Sequence, residues 1–297
     1  MMQQEALPVK GIFGAAWVKF KKEMAMLENE NKSIFLRARY NGQVDLPELR
    51  KAAQHIYEQI LPIPGLVGWL HEPGRSQYYL YRHGIDVAVL AGLAGMWLEY
   101  ETDAIQELVF AGLIHDIGKA RVPFSIISKP SRLNGAEQTD AHDHVSRSWE
   151  MLRETGAVNE RVLEAVSQHH ERLDGSGYPL GNKGDTVSLW ARIIGIADVY
   201  DALVSNRYYR RGISPFEAFQ LMKEEMETTL DEALMDLMFK RLAEGLVGQQ
   251  VKLHDGKKGI IRLYEYGKEN QPILEMEDGD LLQLGLKAQF SVAELVY

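Results

Sequence analysis

Apolar residues recur at helical spacing along most of the chain. In the first 75 residues Leu46, Leu49, Ala53, Ile56 and Ile60 fall on one face of a helix, which Pro62-Ile-Pro64-Gly65 should end. From 78 to 245 nearly every segment reads as helix. Two start signals stand out there: Asn134 three residues ahead of Glu137, and Ser214-Pro215 followed by Glu217, both shaped like helix N-caps. After Gly245 the pattern changes to short β-type runs at 251–253, 259–264 and 273–276, separated by turn residues such as His254-Asp-Gly-Lys and Asp278-Gly-Asp. The expected fold is mainly α. It comprises a helical N-terminal region (1–75), a helical bundle (76–245) and a small antiparallel β module (246–297).

A chain of 297 residues with 45% hydrophobic content can build a large core with one or two satellite units. The absence of cysteine excludes disulfides, thiolate metal sites and cysteine nucleophiles, so any metal must be held by nitrogen and oxygen. A formal net charge of -9 argues against a DNA or RNA polymer as partner, and an anionic substrate would need a local cluster of Lys and Arg. The most apolar stretch, 87–98, is interrupted by Gly92 and Gly95 and falls short of the roughly 20 residues of a membrane span. The first ten residues lack the regions of a signal peptide. These features predict a cytoplasmic protein without membrane contact.

Five of the nine histidines form a spaced series: His83, His115 with Asp116, His144, and His169 with His170, followed by Asp198. The gaps are about one helix plus one loop, so each station can sit on a different helix of one bundle. His115 and Asp116 lie seven residues after Leu108 and Val109, His169 and His170 seven after Val162 and Leu163, and Asp198 four after Ile194. This spacing predicts that they extend the apolar faces of their helices. A buried carboxylate without a partner is costly, so an Asp facing several histidines implies a cation or an ion pair. Taken singly, each residue has an ordinary explanation: a core histidine, a helix terminator at Asp116, ion pairs of Asp198 and Asp201 with Arg192 or Arg207. Taken together, they point to a metal centre. His55, His71 and His254 stand outside the series, and His142, two residues from His144, should face another way.

The stretch His115-Asp-Ile-Gly-Lys119, then Ser128-Lys-Pro130, Glu137 ahead of His144, His169-His-Glu-Arg-Leu-Asp-Gly-Ser-Gly-Tyr-Pro179, Ala197-Asp-Val-Tyr-Asp-Ala-Leu203 and Arg207-Tyr-Tyr-Arg210 resembles the HD-GYP family over residues 76 to 245. The resemblance implies an HD-type helical fold and a role in bacterial second-messenger signalling, hydrolysing cyclic di-GMP to linear pGpG and/or GMP. It further implies two or three iron or manganese ions held by His83, His115, Asp116, His144, His169, His170 and Asp198, with Asp116 bridging. Substrate contacts would be Lys119, Gly177, Tyr178, Arg207 and Arg210. Asn206 stands where the family commonly has Asp, and Tyr209 where it has Pro. Members that bind three metals usually place a Glu one turn before the first histidine. Here that position is Tyr79, whose neutral phenol is a poor carboxylate substitute and whose expected role is packing, so two divalent ions are predicted.

The chemistry follows from such a site. Two ions about 3.5–4 Å apart can share a hydroxide, lower its pKa and stabilise both attacking and leaving oxygens at phosphorus. Lys119, Arg207 and Arg210 would neutralise phosphate oxygens. Competing readings are hydrolysis of another cyclic dinucleotide, and a non-catalytic sensor that binds a ligand or, through the GYP loop, a diguanylate cyclase. A homodimer is left open by the sequence.

Overall fold

The computed structural model describes residues 15–60, 66–71, 79–129, 131–206, 211–265, 271–284 and 292–296. Three helices come first: α1 (Ala15–Asn41), α2 (Leu46–Ile60) and α3 (Leu66–Leu70). The predicted face of α2 is its buried face, since Leu46, Leu49, Ala53, Ile56 and Ile60 all lie in the core with Ala52 and Tyr57. The centre of the molecule is α4 (Tyr79–Trp97), buried without a break from Arg82 to Gly95. A helix buried on every side has no solvent face. The apolar stretch noted in the sequence is therefore a central core helix, and among the described residues no helix is long and apolar enough to cross a membrane.

Helix α5 (Thr102–Ile114) packs along α4, and a short 3-10 turn follows at Ile117–Arg121. Next come α6 (Phe124–Ile127), α7 (Gly135–His142), α8 (His144–Arg153), α9 (Glu160–Gln168), α10 (Leu189–Val204), α11 (Pro215–Met226) and α12 (Glu232–Gly245). The helix starts are chemically marked. Asn134 and Glu137 form a reciprocal capping box on α7, and Ser214 and Glu217 do the same on α11 with Pro215 in the first turn. Asn159, Ser188 and Asp231 cap α9, α10 and α12 through their side-chain oxygens.

The tail is an antiparallel sheet of β1 (Gln250–Leu253), β2 (Lys258–Glu265), β3 (Gln271–Met276), β4 (Leu281–Gln283) and β5 (Val292–Val296), in the order β4-β3-β2-β1-β5. The three runs read from sequence are β1 to β3. Strands β4 and β5 were not anticipated. β4 is three residues long and its Leu281 is 70% exposed, so it carries no alternation to read. One contiguous core runs through the chain, joining Phe20 and Leu49 to Val89, Leu108, Val166, Ile194 and Phe239, and on to Val251 and Leu274 of the sheet.

Candidate metal centre

The histidine stations converge. His83 lies in the second turn of α4, His115 directly follows α5, His144 opens α8, His169 directly follows α9, and Asp198 lies within α10. His83, His115, His144, His169 and Asp198 are all buried. The expectation that helix faces are extended holds for His115 and His169, buried C-caps still in the right-handed helical region just beyond α5 and α9, and is corrected for Asp116. Asp116, at φ -102° and ψ 11°, has left the helical region.

Helix ends suit this purpose because their last carbonyls have no partner within the helix. His115 Nδ1 donates to the Gly112 carbonyl at 2.7 Å and His169 Nδ1 to that of Val166 at 2.7 Å. His144 Nδ1 donates in the same way to Ala141, at the end of α7, at 2.6 Å. A carbonyl only accepts, so Nδ1 carries a proton in all three rings, and Nε2 is the atom that offers a lone pair when the ring is neutral. All three Nε2 atoms are buried and make no hydrogen bond.

These atoms fall into two groups: His83, His115 and Asp198 in one, and Asp116, His144, His169 and His170 in the other, with the ligand-type atoms of each group within 4.8 Å of one another. Asp116 addresses both. Its Oδ2 is 3.4 Å from His115 Nε2 and 3.5 Å from His83 Nε2, while Oδ1 is 3.0 Å from His144 Nε2 and 3.9 Å from His169 Nε2. Asp198 also spans the groups, with Oδ1 2.9 Å from His83 Nε2 and Oδ2 3.7 Å from His170 Nδ1. With His144 neutral, its Nε2 lone pair stands 3.0 Å from an Asp116 oxygen, and neither atom makes a hydrogen bond. Such a pair repels unless a cation lies against both. Atoms bound about 2.1 Å from one ion, at angles between octahedral and tetrahedral, stand about 3.0–3.4 Å apart. The donor set and its spacing fit a divalent ion.

The electrostatics agree. Burial alone would raise the Asp116 carboxyl, but Lys119, His115 and His144 hold it well below the usual range. Asp198 is likewise held low against burial, chiefly by its contact with His83. Burial pushes His169 down to about 3 and His170 well below its ordinary value, so both offer lone pairs at neutral pH. His83 behaves differently: against burial, Asp198 and Asp201 raise it to about 9.

Of the expected substrate contacts, Lys119 sits at the centre with its ammonium on the Asp116 carboxylate. Arg207 and Arg210, with Tyr209, lie outside the described residues. Asn206 accepts from the Gly212 amide at 3.0 Å. Tyr178 lies over His170, ring centroids 4.7 Å apart, and His142 stacks on its other face at 3.8 Å and 7°. His142, expected to face another way than His144, is in neither ligand group and joins the site through this stack. A Cβ at Gly177 would stand 2.5 Å from both the His170 carbonyl and the Glu171 Cα, so only glycine lets the loop close this tightly. Gly118 is constrained likewise by the His144 carbonyl and the Ser148 amide.

Sequence reasoning missed two residues. Buried Glu171 accepts the Leu180 and Asn182 amides at 2.7 and 3.0 Å, anchoring the loop that carries Tyr178. Its position directly after the paired histidines was the available signal. Asp201, considered only as an ion-pair partner of Arg192 or Arg207, instead contacts His83 Nδ1 at 2.6 Å, while Arg192 pairs with Asp185 and Asp231. Tyr79, expected to act in packing, brings its hydroxyl within 3.2 Å of the same Nδ1.

Similar proteins include a cyclic di-GMP phosphodiesterase of Pseudomonas aeruginosa, 32% identical over 236 residues that cover 80% of this chain and 56% of the relative. A 3'3'-cGAMP-specific phosphodiesterase of Vibrio cholerae is 35% identical over 184 residues, covering 62% of this chain and 42% of the relative. The chain thus spans about half the length of these curated relatives. The solved structure of an HDG"Y"P protein from Bdellovibrio bacteriovorus shares the fold, with a TM-score of 0.64 at 14% identity over 79% of this chain and 75% of that one. A model of the HD domain matches residues 72–234, more than half of the sequence, and the chain belongs to the HD domain family.

Proposed function

We propose that the protein is a metal-dependent phosphodiesterase of the HD-GYP type that hydrolyses cyclic di-GMP to linear pGpG and/or GMP, using two divalent ions, iron or manganese. The observation that carries this reading is the Nε2 of His144 set 3.0 Å from an oxygen of Asp116, neither of them making a hydrogen bond, within a cluster of buried histidines and carboxylates. His83, His115 and Asp198 would hold one ion with Asp116 Oδ2, and His144, His169 and His170 the other with Asp116 Oδ1. When bound, the ions supply a water of lowered pKa and neutralise charge on the phosphate.

The remaining work belongs to the chain. Asp116 holds the two halves together through its two oxygens, and Lys119 at its rim brings positive charge to the phosphate. Arg207 and Arg210, as the family resemblance implies, would supply further positive charge that a chain of net charge -9 needs for an anionic substrate. Gly177 and Tyr178, braced by Glu171 and His142, bound the site on the His170 side. Residues 76–245 form the catalytic unit in this reading, flanked by the N-terminal region 1–75 and the β module 246–297. A second reading, hydrolysis of a mixed cyclic GMP-AMP dinucleotide, is favoured by the name of the Vibrio cholerae relative. Incubating the purified protein with manganese or ferrous iron and each cyclic dinucleotide, then separating the products, tests both. Linear dinucleotide or mononucleotide from cyclic di-GMP is expected; no turnover of either substrate would refute the enzyme reading.

A further inference from the structure

We propose that Asp201 is a positioning residue of the metal centre, enforcing the tautomer and orientation of His83. The inference rests on the metal reading above and concerns how one half of that centre is built. Three of the five clustered histidines are oriented by their own backbone: His115, His144 and His169 each give Nδ1–H to the carbonyl three residues earlier. His170 is held by the face of Tyr178. His83 has the Tyr79 ring beside it, centroids 5.2 Å apart, but no backbone carbonyl at Nδ1. It lies inside α4, where the carbonyls of the preceding turn are engaged in the helix.

Its Nδ1 meets a side chain instead, Asp201 Oδ2 at 2.6 Å. Asp201 is 1% exposed and follows Asp198 by three residues on α10, so both carboxylates share one helix face. They grip opposite edges of the same ring, Asp201 at Nδ1 and Asp198 at Nε2. Asp201 is itself steadied by the Ser205 hydroxyl, which donates to Oδ1 at 2.8 Å from one turn further on.

A carboxylate is the partner this position requires. The Tyr79 hydroxyl, 3.2 Å from the same Nδ1, can donate or accept and therefore tolerates either tautomer. A carboxylate oxygen only accepts, so Asp201 favours the proton on Nδ1, and once Asp198 is committed to an ion beside Nε2 that nitrogen faces the centre with its lone pair. Partners of this kind behind a ligating histidine typically change metal affinity 10–100-fold.

The test compares wild type with Asp201→Asn, Asp201→Ala and Ser205→Ala, using full-length protein, manganese titration, elemental analysis and circular dichroism. Asp201→Asn preserves the shape of the side chain while its amide can donate, which frees the wrong tautomer. The expected result is a roughly 10–100-fold loss of manganese affinity in Asp201→Asn, with the ion of the His83, His115 and Asp198 group lost first and the helical spectrum unchanged. Ser205→Ala, which keeps the carboxylate, should move affinity in the same direction by less. In hydrolysis, kcat should fall at saturating metal with KM retained. Wild-type affinity in both Asp201→Asn and Ser205→Ala would overturn the role of Asp201 while leaving the metal centre standing. Wild-type protein that takes up no manganese would overturn the centre and this role together.

Discussion

Gly177→Ala tests whether the closeness of the GYP loop to the paired histidines matters to the chemistry. The added Cβ would stand 2.5 Å from the His170 carbonyl oxygen and from the Glu171 Cα, both backbone atoms that cannot rotate away. Such contacts essentially never fall below 3.0 Å and become ordinary only from 3.4 Å, so a gap of about 0.5–0.9 Å must open. Either the loop lifts, taking Tyr178 off His170, or the backbone at His170 and Glu171 gives way and moves a ligand. A misplacement of about 1 Å near a reacting centre costs about 100-fold in rate, so half that displacement should cost about tenfold. Overpacking should also lower stability by about 1–3 kcal/mol. Gly135→Ala is the control: it adds the same methyl at the start of α7 with nothing within 4 Å. The assay is steady-state hydrolysis of cyclic di-GMP with manganese, alongside thermal melts and metal content. If Gly177→Ala matches both wild type and Gly135→Ala in turnover, the steric argument for this loop is wrong.

Other outcomes follow from the same geometry. His115→Ala and Asp116→Ala should each abolish hydrolysis and lower bound metal; full activity in both would sink the metal-centre reading. Lys119→Ala and Arg207→Ala should weaken substrate handling by about 1.5–3 kcal/mol, the scale of a charge-assisted hydrogen bond, with metal content near normal. If metal fell in step with activity, the division between ligands and phosphate contacts would be wrong. Protein prepared without chelators should carry two ions per chain by elemental analysis, since Tyr79 supplies no carboxylate; three well-occupied ions would refute this. Stripping the metal leaves three buried Nε2 atoms unpartnered at about 1–3 kcal/mol each, so the melting temperature should drop by at least several degrees and recover with manganese.

The sequence made some levels of this structure readable and hid others, for physical reasons. Periodicity located α2 and its buried face because burial of Leu46, Leu49 and Ile56 requires that spacing. The capping boxes at Asn134 and Ser214 were legible because their hydrogen bonds are local. The convergence of the histidines was also foreseen, yet their local setting was not: continuing the period of α5 through His115 and Asp116 ignored that the free carbonyls of a helix end are what orient the rings. Asp201 and Glu171 escaped because their partners, His83 and the Leu180 and Asn182 amides, are reached only through tertiary contact or loop closure. Strand β4 escaped because three residues with an exposed leucine give no pattern.

The clustered residues are drawn from α4, α8 and α10 and from the ends of α5 and α9, a span of sequence from 83 to 198. Individual helices form within about a microsecond from local contacts, whereas bringing such distant segments together requires loop closure and sets the slower timescale of folding. The donor set is therefore complete only after the bundle has assembled, and no isolated pair of these helices contains it. An ion bound there ties five segments of chain into one ring of contacts, so its retention registers the integrity of the whole bundle. Damage to the packing of any one of the five should release the ion while the other helices are still intact, and the protein would lose its chemistry before it lost its shape.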